Sequence, residues 1–241
     1  MGAVLGGKLQ AILDARIAEA TNVLNHLLRH DVLVIGPVEI TSTVVNTWFI
    51  MIVFFIAVFL LTRRLEERPR GVQLFLEMVI EFCYSIIDGT IGRSGRKYLP
   101  VVGALFVFIV VLNLSWFIPG MLPPTIDIMT TMALAVSTII IVQIVGIREK
   151  GLRGYLRHFG QPIVFMAPMN IIEELVKPFS LTIRLFCNMF GEEMAVGIFF
   201  ALLPLVAPVP IMALGILMGI IQAYIFSVLA ASYLATATKG H

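Results

Sequence analysis

The chain has 241 residues, of which 59% are hydrophobic and 13% charged. A soluble domain carries about a quarter charged residues, so a water-soluble globular protein is excluded, and several apolar runs reach the roughly 20 residues that span a bilayer. The net charge of +2 names no partner, and no nucleic acid is expected.

Residues 1–30 set Ile12, Ile17, Val23, Leu24, Leu27 and Leu28 among charged neighbours. That pattern predicts an amphipathic helix on the membrane surface, part of an external N-terminal segment over 1–42. No basic region followed by an apolar core opens the chain, so no cleavable signal peptide is expected. A first span is predicted at 44–61, closed by Arg63 and Arg64. Over 72–89, Leu74, Phe75, Met78, Val79, Phe82 and Ile86 share one broad face, and Glu77, Glu81 and Asp88 lie across from it. An interfacial helix is expected there. A second span at 98–118 leads through the Pro119-Gly120 and Pro123-Pro124 turns to a third at 126–147.

Residues 162–203 are mostly apolar but carry Glu173, Glu174, Lys177, Arg184, Glu192 and Glu193. As one helix they would reach about 60 Å, twice the roughly 30 Å hydrocarbon core. The segment must therefore tilt strongly, break, or run along the membrane, with Pro168 and Pro178 as candidate breaks. It pairs with a last helix at 211–236. The expected fold is an all-α polytopic membrane protein in a single domain over 1–241. It has five membrane-embedded helices, a long, strongly tilted C-terminal helical hairpin, and amphipathic interfacial helices.

Most of the 17 basic residues fall in loops on one side of this plan, Arg63, Arg96, Lys97, Arg148 and Lys150 among them. The positive-inside rule puts the N-terminus outside and the C-terminus in the cytoplasm.

Arg184 is the most telling residue. A permanent cation at membrane depth costs about 2.5–3.5 kcal/mol on insertion scales and usually marks an ion path or a partner charge. Arginine does not release its proton in a protein, so it serves as a fixed charge and not as a relay. With Arg184 at zero on a helical wheel, Glu173 falls near about −20°, Lys177 near +20°, Asn188 near +40° and Glu192 near +80°. Glu193 points almost opposite. A proton path with a charged barrier fits this stripe better than internal salt bridges, because several ionisable groups in one membrane segment are costly for a purely structural purpose.

On the last helix, Gln222 either hydrogen-bonds the stripe or ties two helices together, and Gly215 and Gly219 suit close packing against the tilted neighbour. Asp127 opens the third span, either lining a proton funnel or serving the helix start. Asn113, Ser115 and Gln143 within spans are packing contacts more often than path.

Other chemistries find no support. Gly2 to Lys8 fits GxxxxGK, but Leu9 stands where Ser or Thr would hold magnesium. His26 and His30 suit a solvated face better than a metal, and no HExxH or GxSxG is present. Cys83 and Cys187 form no CxxC. No cofactor and no metal are expected.

The run Lys177-Pro178-Phe179-Ser180-Leu181-Thr182-Ile183-Arg184-Leu185-Phe186-Cys187-Asn188-Met189-Phe190 resembles the signature of subunit a of F-type rotary ATP synthases. Leu122 to Thr131 is similar to that family's external turn and following helix, and Gln222 to Phe226 to its last helix. The resemblance covers most of the chain from about Gly36 onward. It implies a non-catalytic stator subunit beside a ring of c subunits, with peripheral stalk b subunits, membrane lipid and the rest of the complex as partners. ATP chemistry then belongs to other subunits.

In that family, two aqueous half-channels reach the ring carboxylates from opposite sides. Arg184 matches the essential arginine. Asn188, Glu193 and Gln222 match polar positions near the path, and Glu173 and Glu174 lie toward the cytoplasmic half-channel. Cys187 replaces a frequent glycine. Some relatives carry a histidine seven positions before the glutamine, where this chain has Gly215. The additional Glu192 is expected to take over its proton handling. A bacterial plasma (inner) membrane is the expected location.

Two readings compete. A self-contained transporter would usually show repeated halves, and no repeat is present. An intramembrane aspartyl protease would need a carboxylate dyad, whereas the adjacent Glu192 and Glu193 diverge by about 100° on a helix.

Overall fold

The computed structural model describes residues 32–35, 38–63, 71–115, 123–159, 167–202 and 208–238. The amphipathic helix expected over 1–30 lies outside them, as do Arg64 and the Pro119-Gly120 turn.

The first described element is absent from the sequence expectation. Strands β1 (Val32–Ile35) and β2 (Val38–Thr41) pair antiparallel with Val32 opposite Thr41 and Ile35 opposite Val38. Alternating Val, Leu and Ile suit a strand, but runs this short carry little period-2 signal. Helix α1 (Ser42–Thr62) follows directly. It is apolar all round, and Trp48, Phe55, Phe59 and Leu60 stand exposed. A helix hydrophobic on every side belongs in lipid or against another chain.

Helix α2 (Val72–Thr90) covers the interfacial segment. Its apolar face divides along its length. Cys83, Ile86 and Ile87 are buried, whereas Leu74, Phe75 and Met78 remain exposed. Phe82 sets its ring 5.4 Å from that of Phe106 and 5.7 Å from that of Tyr224. The C-terminal half is therefore docked into the bundle. The helix ends at Gly92, whose φ of 89° suits glycine and whose N–H reaches the Ile87 carbonyl at 3.1 Å.

A 3₁₀ turn (Arg93–Tyr98) feeds α3 (Leu99–Leu114), and a second (Pro124–Ile126) precedes α4 (Ile128–Phe159). Within α4, Gly151 leaves helical geometry at φ 72°, so the membrane stretch stops there. Helix α5 (Ala167–Leu202) is continuous through Pro178. Pro178 therefore does not break the segment. Membrane helices tolerate an internal proline because neighbouring side chains and local adjustment satisfy the freed backbone groups. At 36 residues, α5 is one helix about 54 Å long, which removes the break from the sequence alternatives and leaves a strong tilt across the roughly 30 Å core or a course along it. Helix α6 (Pro208–Thr238) completes the hairpin.

Four helical stretches are long and apolar enough to cross a membrane among the described residues: Thr43–Thr62, Arg93–Leu114, Ile128–Gly151 and Val209–Thr238. The charge-bearing α5 is not among these four, and its place as a fifth embedded helix remains the sequence expectation. Helix α6 sits at the centre, against α2, α3, α4 and α5. It buries Ala223, Ala230, Ala231 and Ser227, small residues that let neighbouring backbones come close.

One end of the bundle gathers the basic loops. Lys97 Nζ bonds Glu149 Oε1 at 2.6 Å, and Lys150 Nζ reaches the Thr236 carbonyl at 3.4 Å. Arg96 donates to both Asp88 oxygens, at 3.1 and 2.6 Å. The hydrogen bond from Arg96 holds the Asp88 carboxyl below its ordinary value. A depressed folded-state value means stabilisation that is present above the ordinary carboxylate value of about 3.9 and lost as pH falls through the depressed one. In detergent, Asp88→Asn should therefore melt below the parent chain at pH 6, and the gap should close on acidification below about pH 4. A gap independent of pH would show that the pair contributes nothing.

Candidate functional site: a polar seam between two long helices

The stripe predicted on α5 is present, but its members meet different neighbours. At the basic end, Lys177 has a side chain only 13% exposed and bonds Glu174 Oε1 at 2.7 Å. Glu173 Oε1 lies farther off, at 3.7 Å, on a side chain 70% exposed. Gln143 of α4 donates to Glu174 Oε2 at 2.9 Å. The Lys177 ammonium also stands 5.3 Å from the centre of the Tyr233 ring on α6.

Two turns on, Arg184 is half-buried, and its guanidinium makes no hydrogen bond or ion pair with any described residue. It sits at the margin of an uncovered apolar strip that includes Val176, Phe179 and Ile183. On α6, Leu214, Leu217 and Ile221 are likewise exposed.

Farther along, the stripe turns toward α6. Asn188 Nδ2 donates to Gln222 Oε1 at 2.6 Å. Gln222 is 2% exposed, and this bond both meets the stripe and ties α6 to α5, so it satisfies both sequence alternatives. Beyond it lies a cavity of about 190 Å³ lined by Asn188, Glu192, Ala195, Ile211, Leu214, Gly215 and Met218. Glu192 Oε2 and Gln222 Nε2 are buried without a hydrogen-bond partner among the described residues. Buried water ordinarily completes such groups.

Gly215 explains how a carboxylate fits here. A Cβ at that position would overlap the Glu192 carboxylate, which fills the space of the missing side chain. Gly219 behaves differently from expectation. A Cβ there would stand 3.2 Å from Asn113 Cβ, and Asn113 Nδ2 donates to the Gly219 carbonyl at 3.0 Å. Its close neighbour is therefore α3 and not α5, because two glycines four apart on a central helix can face different helices. Glu193 is half-buried and does not line the cavity. Asp127 accepts from the Met129 N–H at 2.9 Å and serves the start of α4. Among the described residues, no cluster of His, Cys, Asp or Glu suits a metal.

The sequence left Gln143 open between packing and path, and did not mark Tyr233 at all. The signal in each case lies in a neighbour on another helix, which spacing along one helix does not report.

The ATP synthase A chain family is matched over residues 44–235. The chain is 56% identical over 218 residues to ATP synthase subunit a of Moorella thermoacetica, covering 90% of this chain and 100% of that one. It is 44% identical over 203 residues to ATP synthase subunit a 2 of a Bradyrhizobium strain, covering 84% and 91%. With ATP synthase subunit a 1 of Syntrophotalea carbinolica it shares 41% over 200 residues, covering 81% and 85%.

Proposed function

The chain belongs to the ATP synthase A chain family, and from that premise we propose that it forms the stator side of a proton-driven rotor. The observation that carries this is Arg184, a fixed cation without a counter-charge among the described residues, at the edge of an uncovered apolar face. A rotor of c subunits bearing membrane carboxylates supplies the missing charge and covers that face.

A proton enters from the outside through the cavity beside Asn188, Glu192 and Gln222, with Glu193 and Asp127 toward its mouth. It neutralises a ring carboxylate, which then rotates into lipid uncharged. After nearly a full turn that carboxylic acid meets Arg184. The guanidinium favours its ionised form, as an opposite charge within about 4–6 Å does. The proton leaves inward past Glu173, Glu174 and Lys177. The same cation blocks a continuous water path between the two half-channels. The driving force is about 2.3 kcal/mol per charge per 100 mV, plus the pH difference.

The chain itself is non-catalytic in this scheme, and ATP chemistry lies in partner subunits. Residues 1–241 form one membrane domain in a bacterial inner membrane, with the N-terminus outside, the C-terminus cytoplasmic, and peripheral stalk b subunits and lipid on its remaining faces.

Thiol labelling tests the outer half-channel. With Cys83 and Cys187 replaced by serine, Met218→Cys in the assembled complex should react with a membrane-impermeant reagent added outside and block pumping. Equal reaction from the inside would overturn a cavity open to one side only.

A further inference from the structure

At the inner end of α5, two adjacent carboxylates have different surroundings, and the difference assigns them different work. Both oxygens of Glu174 are engaged, Oε1 by Lys177 at 2.7 Å and Oε2 by Gln143 at 2.9 Å. Lys177 lies in turn over the Tyr233 ring. Glu174 thus ties α4 to α5 directly, and Lys177 carries the link on to α6. Among the described residues, Glu173 makes only the 3.7 Å contact with Lys177, beyond hydrogen-bond reach, and its side chain is 70% exposed.

We propose that Gln143 is a positioning residue of the inner half-channel: with Lys177 it holds Glu174 as a brace between α4 and α5, and this leaves Glu173 as the carboxylate that receives the outgoing proton. The proposal rests on the reading of this end of α5 as the proton exit. The proton released at Arg184 passes to water, then to the exposed Glu173 carboxylate, and from the resulting carboxylic acid to the inner solution. Glu173 returns to its starting form. Glu174 takes no part in that transfer, since protonating it would compete with the bonds to Gln143 and Lys177 that tie α4 to α5.

The test uses the assembled complex in vesicles, with subunit content measured beside ATP-driven pumping. Glu173→Gln should lower pumping by about tenfold or more, the scale of losing a proton-transfer group. Gln143→Leu should lower it by about threefold, the worth of one interhelical hydrogen bond. The exchange Gln143→Glu with Glu174→Gln rebuilds the amide–carboxylate pair with its members swapped, and should restore pumping to within about twofold of the parent.

Normal pumping in Glu173→Gln, with pumping lost in Glu174→Gln and not restored by the exchange, would overturn the proposal by making Glu174 the proton acceptor. A loss in Glu173→Gln together with an exchange that fails at normal subunit content would overturn the role of Gln143. Arg184→Ala in the same vesicles separates this from failure of the parent reading. If that variant pumps normally, the proton exit itself is misplaced.

Discussion

Arg184→Ala should abolish coupled pumping, lowering ATP-driven acidification of vesicles by roughly two orders of magnitude, the scale of removing one preorganised charge from a site of charge development. The complex should still assemble, because the guanidinium makes no hydrogen bond or ion pair with the described residues of its own chain. Removing one partner of an internal salt bridge would leave a buried charge unpaired and cost stability. Removing Arg184 leaves no such orphan among the described residues.

Passive proton flux under an imposed potential should rise, because in the proposed scheme Arg184 is the barrier between the half-channels. Arg184→Lys keeps the charge but substitutes a group that gives up its proton readily when desolvated, so coupling should fall there too. Unchanged pumping in Arg184→Ala would sink the fixed-charge assignment and leave the stripe a structural role.

Glu192→Gln should lower pumping by about tenfold or more without loss of the fold. Glutamine has nearly the same shape, so the space opposite Gly215 stays filled and only the exchangeable proton is removed. A companion change approaches the same carboxylate from the other helix. A methyl at Gly215 would occupy the place of the Glu192 carboxylate, so Gly215→Ala must push that group out of the cavity. Pumping should fall in the same direction. Intact pumping in Glu192→Gln would remove Glu192 from the path, and an effect of Gly215→Ala alone would then report packing.

Much of the helical plan is legible in the sequence because the bilayer imposes a length. The first span, expected at 44–61, is found as Ser42–Thr62, and the segment expected over 72–89 is Val72–Thr90. The charged helix expected within 162–203 is Ala167–Leu202. Because α5 is continuous through Pro178, the wheel geometry that places Lys177, Asn188 and Glu192 on one side applies to it, since a helix fixes that geometry locally.

What each residue meets is a different kind of information. Nothing in the spacing says that Asn188 bonds Gln222 while Lys177 turns to Glu174, or that Gly219 faces Asn113. These contacts depend on where α3, α4 and α6 lie around α5, and a wheel drawn for one helix contains no neighbours. Pro178 misled in the opposite sense. Its cost in an isolated helix is real, but the packed bundle absorbs it.

The small buried residues of α6 carry a mechanical consequence. In the proposed scheme the subunit, as stator, feels an equal and opposite push for every proton that turns the rotor, about 2.3 kcal/mol per 100 mV. Long flexible side chains between the pushed helix and its anchorage would act as springs and dissipate part of each stroke. Helix α6 meets four other helices, and Ala223, Ser227, Ala230 and Ala231 are each no more than 2% exposed. In that scheme, force applied to α5 passes into the rest of the subunit partly across these small side chains, over short lever arms, and part of the stiffness of the fixed side is written in its alanines.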